Sequence, residues 1–294
     1  MGVTAGRALV AALSDDVDRL LAAEPEVRSD AYDSVHQMRV ATRRLRSVLR
    51  SYRTLLRKDP VAAMGTELKW LADVLGVARD AEVRADRFAA LLAKQTLDEV
   101  SAEELTAATA RLVTAERARY AGAHADVLTA LDSDRYGALR RRLVRWRTDP
   151  PLRAARAAVP AREFFGVVTR RDHERVEALV RAEPSAPPAE RIELLHDIRK
   201  SAKRLRYSCE AAESALGSAA GELGSRAKRL QTVLGDHRDA IESEQAILER
   251  AAEAADAGEP TALLHRLAAA EHSAADRELQ RYPAAAEALS SGDH

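Results

Sequence analysis

The feature that most constrains this chain is that it matches itself. His36-Gln-Met-Arg39-Val-Ala-Thr-Arg43-Arg44-Leu45-Arg46 aligns with His196-Asp-Ile-Arg199-Lys-Ser-Ala-Lys203-Arg204-Leu205-Arg206 at an offset of 160 residues. A second pair follows: Lys69-Trp-Leu71…Leu75-Gly76-Val-Ala-Arg79-Asp80-Ala81 with Lys228-Arg-Leu230…Leu234-Gly235-Asp-His-Arg238-Asp239-Ala240, at an offset of 159. A near-constant offset across both motifs points to an internal duplication. The chain is expected to hold two related halves, 4–150 and 189–282. The segment 151–188, with one helix and a Pro-rich linker at 183–189, connects them. Two copies of one unit pack most simply about a pseudo-two-fold axis, which would bring the matched surfaces face to face.

The halves read as helix. Ala, Leu, Arg and Glu dominate, Gly and Pro are only 13 and 10 of 294 residues, and aromatics are 4%, so strands have little support. Helices are predicted at 4–24, 29–58, 61–76, 80–96, 101–131, 133–148, 160–182, 189–216, 218–235, 237–257 and 260–280. Pro25, Pro60, Gly76 and Gly235 are expected to stop or cap helices, with Asp80 and Asp239 capping the next ones. The fold class is all-α. No run approaches the ~20 apolar residues of a membrane span, and the start, Met1–Thr4, reads as no export signal. A cytoplasmic location is expected. The single cysteine, Cys209, excludes an internal disulfide and is expected to be buried and inert.

An α-helix turns about 100° per residue. With His36 at 0°, Arg39, Arg43, Arg46 and Arg50 fall within a stripe about 80° wide. Met38, Leu45, Leu49, Tyr52 and Leu56 cluster on another side, which marks a core face. In the second copy Arg199, Lys203 and Arg206 take the matching angles beside His196, while Ile198, Leu205 and Cys209 face the core. Counter-charges are scarce: residues 36–58 carry eight Lys/Arg and no acid, and residues 196–206 carry five against Asp197. Like charges at i,i+4 repel, so a duplicated row of them points to an anionic ligand. The plain alternative is a solvated face, or pairing with acids on other helices. A third basic cluster, Arg140–Arg147, is expected to be anchored by Leu143 and Trp146.

Arg can bond phosphate oxygens with a planar fork, and Lys acts as a mobile point charge. A row at one-turn spacing repeats every ~5.4 Å, which suits a linear polyanion: inorganic polyphosphate or a nucleic-acid backbone. Base readout calls for Asn/Gln, and strand stacking calls for exposed aromatics. The stripes offer little of either, which favours the base-free polyanion and makes nucleic acid the less favoured partner. His36 and His196 have no His, Asp or Glu at i+3 or i+4, only Arg39 and Arg199, so metal binding is disfavoured. No nucleophile or carboxylate partners them as catalytic bases, and the preferred role is a phosphate contact or a structural one.

These motifs resemble the CHAD family, the conserved histidine α-helical domain, over residues 4–280. The resemblance implies two pseudo-symmetric helical bundles packed around a basic central cleft or pore, in a single domain spanning 1–294. It also implies binding of inorganic polyphosphate, without catalysis or cofactor, and association with polyphosphate granules in some members. Carried across, the binding set is His36, Arg39, Arg43, Arg44, Arg46, Arg50, Lys69 and Arg79, with His196, Arg199, Lys203, Arg204, Arg206, Lys228 and Arg238. Lys203 departs from the pattern: it stands where the first copy has Arg43. The alternatives are a nucleic-acid-binding or scaffold protein and an enzyme acting on phosphoanhydrides. The formal net charge of zero does not oppose a polyanion, because the charges are segregated. Residues 240–294 carry eleven acids and only four Lys/Arg.

Overall fold

The computed structural model describes residues 2–95 and 100–291. Among them twelve α-helices form: α1 Ala5–Arg28, α2 Ser34–Ser51, α3 Lys58–Leu92, α4 Ala102–Thr109, α5 Ala115–Asp132, α6 Asp134–Trp146, α7 Ala154–Ala157, α8 Ala161–Ala182, α9 Pro188–Leu216, α10 Ser218–Asp256, α11 Ala262–Gln280 and α12 Tyr282–Ser290. The extended pairs among these residues are isolated bridges, Thr4 with Pro160 and Leu56 with Leu152. The all-α expectation holds. Residue 96, the expected end of one helix, lies outside the described residues.

Two expected breaks are absent and two are displaced. Helix α3 runs through Gly76, and α10 runs through Gly235. Asp80 and Asp239 therefore sit inside helices rather than at caps. A glycine inside a helix costs about 1 kcal/mol against alanine. Here the flanking residues Leu75, Ala78, Ala81, Leu234 and Ala240 are buried, and burial outweighs propensity. Pro25 lies within the last turn of α1. The helix continues past it because Val27 is buried and Arg28 is tied to Glu24 and to Asp132. Pro60 falls in the first turn of α3, where its missing N–H would have had no intrahelical partner. The 183–189 linker is shorter than expected: a 3₁₀ turn at Glu183–Ser185, then α9 opening at Pro188.

The chain divides into two compact units, 2–75 with 128–232 and 283–291, and 76–127 with 233–282. Each unit draws on both of the self-matching segments of the sequence. In the first matched segment the division falls at Leu75/Gly76, and in the second at Thr232/Val233, within two residues of the aligned position.

In the first unit α1 packs on α2, α8 on α9, and α2 on α9. The stripe's apolar partners behave as expected: Met38, Leu45, Leu49, Tyr52, Leu56, Ile198, Leu205 and Cys209 are all buried. The Tyr52 ring packs against Phe165, tilted by 34° with centroids 4.4 Å apart, and its hydroxyl donates to the Ser208 carbonyl at 2.7 Å. These contacts hold the end of α2 against α8 and α9. The second unit has its own core, in which Phe88, Leu92, Leu112, Ile247, Leu264 and Leu267 meet. Its buried acid Glu271 takes both nitrogens of the Arg87 fork, at 2.8 and 2.5 Å.

A basic cleft in the first unit

The core face of α2 is pinned by its buried leucines, so its cationic stripe must point away from them. The same holds for α9. Between the two helices opens a cleft of about 870 Å³. Among the described residues its lining carries ten Lys/Arg: Arg43, Arg46, Arg50, Arg53, Lys58, Arg153, Arg175, Lys200, Lys203 and Arg204. Asp197 is the acid among them, and Lys200 neutralises it at 2.7 Å.

Backbone bonds place the cations that lie off the stripes. Arg57 donates to the Pro151 carbonyl and Arg153 to the Leu55 carbonyl, both at 2.8 Å. This pairing holds the segment after α2 beside the segment before α7, which sets Arg53 and Arg153 on one rim. Arg175 of α8 donates to Ser201 of α9 at 3.4 Å.

The cluster is electrostatically costly. Arg43 is held below the usual arginine range by burial and then by Arg39, with Arg199 and Arg46 adding to it. Burial, followed by Arg43, Arg199, Arg39 and Arg206, pushes Lys203 down to about 6. The two stripes therefore feel one another, and Arg43 and Lys203 line the same space although 160 residues separate them in sequence. The Arg199 Nε is buried with no hydrogen-bond partner among the described residues.

The expected site residues do not all share the cleft. Arg43, Arg46, Arg50, Lys203 and Arg204 line it. Arg39 and Arg199 stand beside it, within reach of Arg43 and Lys203. His36 and His196 are half-buried near the starts of the two basic stretches. Arg44 turns the other way. It bonds the fully buried Asp16 at 2.5 Å and Glu210 of α9. Burial lifts Asp16 above the usual carboxylate range in spite of Arg44. Arg204 mirrors this arrangement: it bonds Asp172 at 3.1 Å and Ser51 at 3.2 Å, and Asp172 is buried. At these two positions cations meet acids on neighbouring helices, which is the plain alternative to ligand binding.

Glu210 also takes Arg206 at 2.8 Å. Arg206 lines a second pocket of about 720 Å³ together with Arg226, Lys228 and Arg229 and the acids Glu210, Glu213 and Glu222. That pocket is mixed in charge, so Arg206 and Lys228 separate from the basic cleft. Lys69 is exposed and pairs with Asp73 at 2.5 Å. Arg79 and Arg238 belong to the second unit, where they pair with Glu82 and Glu242. His237 is also in that unit, buried, with Nδ1 3.0 Å from the Ala275 carbonyl oxygen. In the third basic cluster Leu143 and Trp146 are buried as expected. Arg140 and Arg147 of that cluster meet Glu24 and Asp18 of α1. Cys209 is buried, and burial pushes its thiol up to about 12.

Five cleft cations were missing from the expected set: Arg53, Lys58, Arg153, Arg175 and Lys200. Arg53 and Lys58 lie in the acid-free run 36–58, and Lys200 lies at about 40° on the α9 wheel, at the edge of the stripe. A wider reading of charge density would have found these three. Arg153 and Arg175 arrive from elsewhere in the chain and carry no local signal.

Among the described residues no group of three His, Cys, Asp or Glu is placed to hold a metal ion. No helix among them is long and apolar enough to cross a membrane.

Comparison with known proteins gives a consistent result. The CHAD domain profile matches residues 11–248. The chain is 39% identical over 256 residues to the uncharacterized protein Rv2226 of Mycobacterium tuberculosis strain H37Rv, and 38% identical to MT2285 of strain CDC 1551. Each match covers 85% of this chain and 47% of the relative, so the chain spans about half the length of the curated relatives it matches. Among solved structures, PptA from Streptomyces chartreusis superposes with a TM-score of 0.74 at 21% identity, covering 96% of this chain and 99% of that one. The CHAD domain from the plant Ricinus communis superposes with a TM-score of 0.72 at 25% identity, covering 98% and 93%.

Proposed function

The chain belongs to the CHAD family, and from that premise we propose that it binds inorganic polyphosphate, a linear polyanion, in the basic cleft without catalysing a reaction on it. The observation that carries this reading is the lining of nine Arg and Lys side chains besides Lys203, around one acid, in a chain whose net charge is zero. Such a concentration raises the free energy of the empty cleft, and a phosphate chain entering it relieves the repulsion. Arg43, Arg46, Arg50 and Lys203 are the motif residues assigned to contact phosphate. Arg53, Lys58, Arg153, Arg175 and Lys200 extend the track. The same lining supports a binding role over a catalytic one, since it offers cations and hydroxyls and a carboxylate already paired with Lys200. A cytoplasmic location and association with polyphosphate granules belong to the same reading.

The test is calorimetric titration with long-chain polyphosphate, pyrophosphate and single-stranded DNA of matched charge. Affinity should grow with polyphosphate length until the cleft is filled. If 6–10 phosphates are contacted, affinity should fall by about 10³–10⁵ between 50 and 200 mM salt. The double charge reversal Arg43→Glu with Lys203→Glu should abolish binding and leave the helical circular dichroism intact. Equal affinity for DNA would sink the polyphosphate assignment.

A further inference from the structure

Two lysines of α9 line the basic cleft three residues apart, in opposite electrostatic settings. Lys200 is held by carboxylates, Asp197 at 2.7 Å and Glu193 at 3.7 Å. Lys203 has no carboxylate partner among the described residues, and its surroundings are Arg39 and Arg43 of α2, Arg199 and Arg206 of α9, and the Tyr207 ring at 5.8 Å. An amine enclosed by guanidinium groups loses its proton readily, and the lone pair so exposed is a nucleophile. The same guanidinium groups gather anions. An electrophile whose leaving group is itself a phosphate would be drawn in and oriented by them.

We propose that Lys203 is a site of covalent acylation by small acyl phosphates, with the surrounding arginines holding the phosphate as it leaves. The lone pair on Lys203 Nζ attacks the acyl carbon. The carbon–oxygen bond to phosphate breaks, orthophosphate departs with the electron pair, and the amine proton passes to that phosphate or to water. The product is an amide at Lys203 and free orthophosphate. No oxidant or reductant is required. Developing negative charge on the phosphate oxygens falls where Arg43 and Arg199 concentrate positive charge, the arrangement by which fixed cations assist phosphate departure. An amide cannot take up a proton when a polyanion enters, so acylation would weaken the cleft for its ligand. The inference rests on the reading of the cleft as a phosphate site.

The experiment treats the full chain with acetyl phosphate at pH 7.5 and follows each lysine by site-resolved mass spectrometry. Lys200 is the internal control, since it lines the same cleft. With Lys203 pushed down to about 6, free amine at this pH rises by about three powers of ten over the reference lysine side chain and lowered basicity returns about two, so Lys203 should react roughly ten-fold faster than a reference lysine amine. Its rate should level off above about pH 6. Arg43→Gln should slow the reaction at Lys203 and not at Lys69. A parallel arm uses acetic anhydride, which carries no phosphate. Preference for Lys203 with the anhydride but not with acetyl phosphate would overturn the proposal, as would equal rates at Lys203 and Lys200. Intact polyphosphate binding with an unreactive Lys203 would overturn this inference alone. A reactive Lys203 in a chain that ignores polyphosphate would overturn the function proposed above and leave this one standing.

Discussion

Raising the pH from 6 to 8 should weaken polyphosphate binding by about 50-fold in the wild-type chain, beyond any dependence shared with the Lys203→Arg variant. Burial and the four arginines around Lys203 push its amine down to about 6 in the empty cleft. A phosphate chain reverses the local potential and restores the proton. Binding and protonation are then linked, and the observed affinity follows the fraction of empty molecules already protonated. That fraction is roughly one half at pH 6 and one hundredth at pH 8, a difference of about 2.3 kcal/mol. The sign is fixed by the direction of the shift: a depressed lysine binds its proton on complex formation, so affinity falls as pH rises. Arginine stays charged throughout, so Lys203→Arg removes this component. Calorimetry at pH 8 in buffers of different ionisation heat counts the protons directly. About one proton should be taken up per wild-type binding event in excess of the variant. The same proton count in wild type and Lys203→Arg would refute the argument.

Two further substitutions separate fold from function. Arg44→Ala leaves the buried Asp16 carboxylate with Arg19, at 3.2 Å, in place of two guanidinium partners, and should cost about 1–3 kcal/mol in a denaturant titration. Arg46→Ala, on the cleft rim, should leave stability within about 0.5 kcal/mol and weaken polyphosphate binding. In Gly6→Ala the added Cβ would lie 2.7 Å from the Ala157 Cβ. It should destabilise by about 1–3 kcal/mol, with a lowered melting temperature as the readout.

How much of this was legible beforehand differs by residue. The helix wheel of α2 was read correctly from sequence, because the 3.6-residue repeat of Met38, Leu45 and Leu49 leaves one way to bury them. Their burial then dictates where Arg43, Arg46 and Arg50 point. The breaks at Gly76 and Gly235 were misjudged because glycine's local cost is about 1 kcal/mol and buried neighbours outweigh it. Arg44 and Arg204 carry the same motif letters as their neighbours, yet they bond Asp16 and Asp172. Those acids lie on α1 and α8, at sequence distances that no local pattern encodes.

By itself the sequence determined the helical class, the duplicated stripes and the segregation of charge that lets a neutral chain carry a cationic site. These are periodic or compositional properties, written in residues a few positions apart. Only the tertiary structure decided which cations converge. It brought Arg153 and Arg175 to the cleft and diverted Arg206 and Lys228 to a mixed pocket. It also surrounded Lys203 with arginines. Convergence depends on which helix packs against which, and electrostatic energy depends on distance in space. Neither quantity is carried by the spacing of residues along one helix.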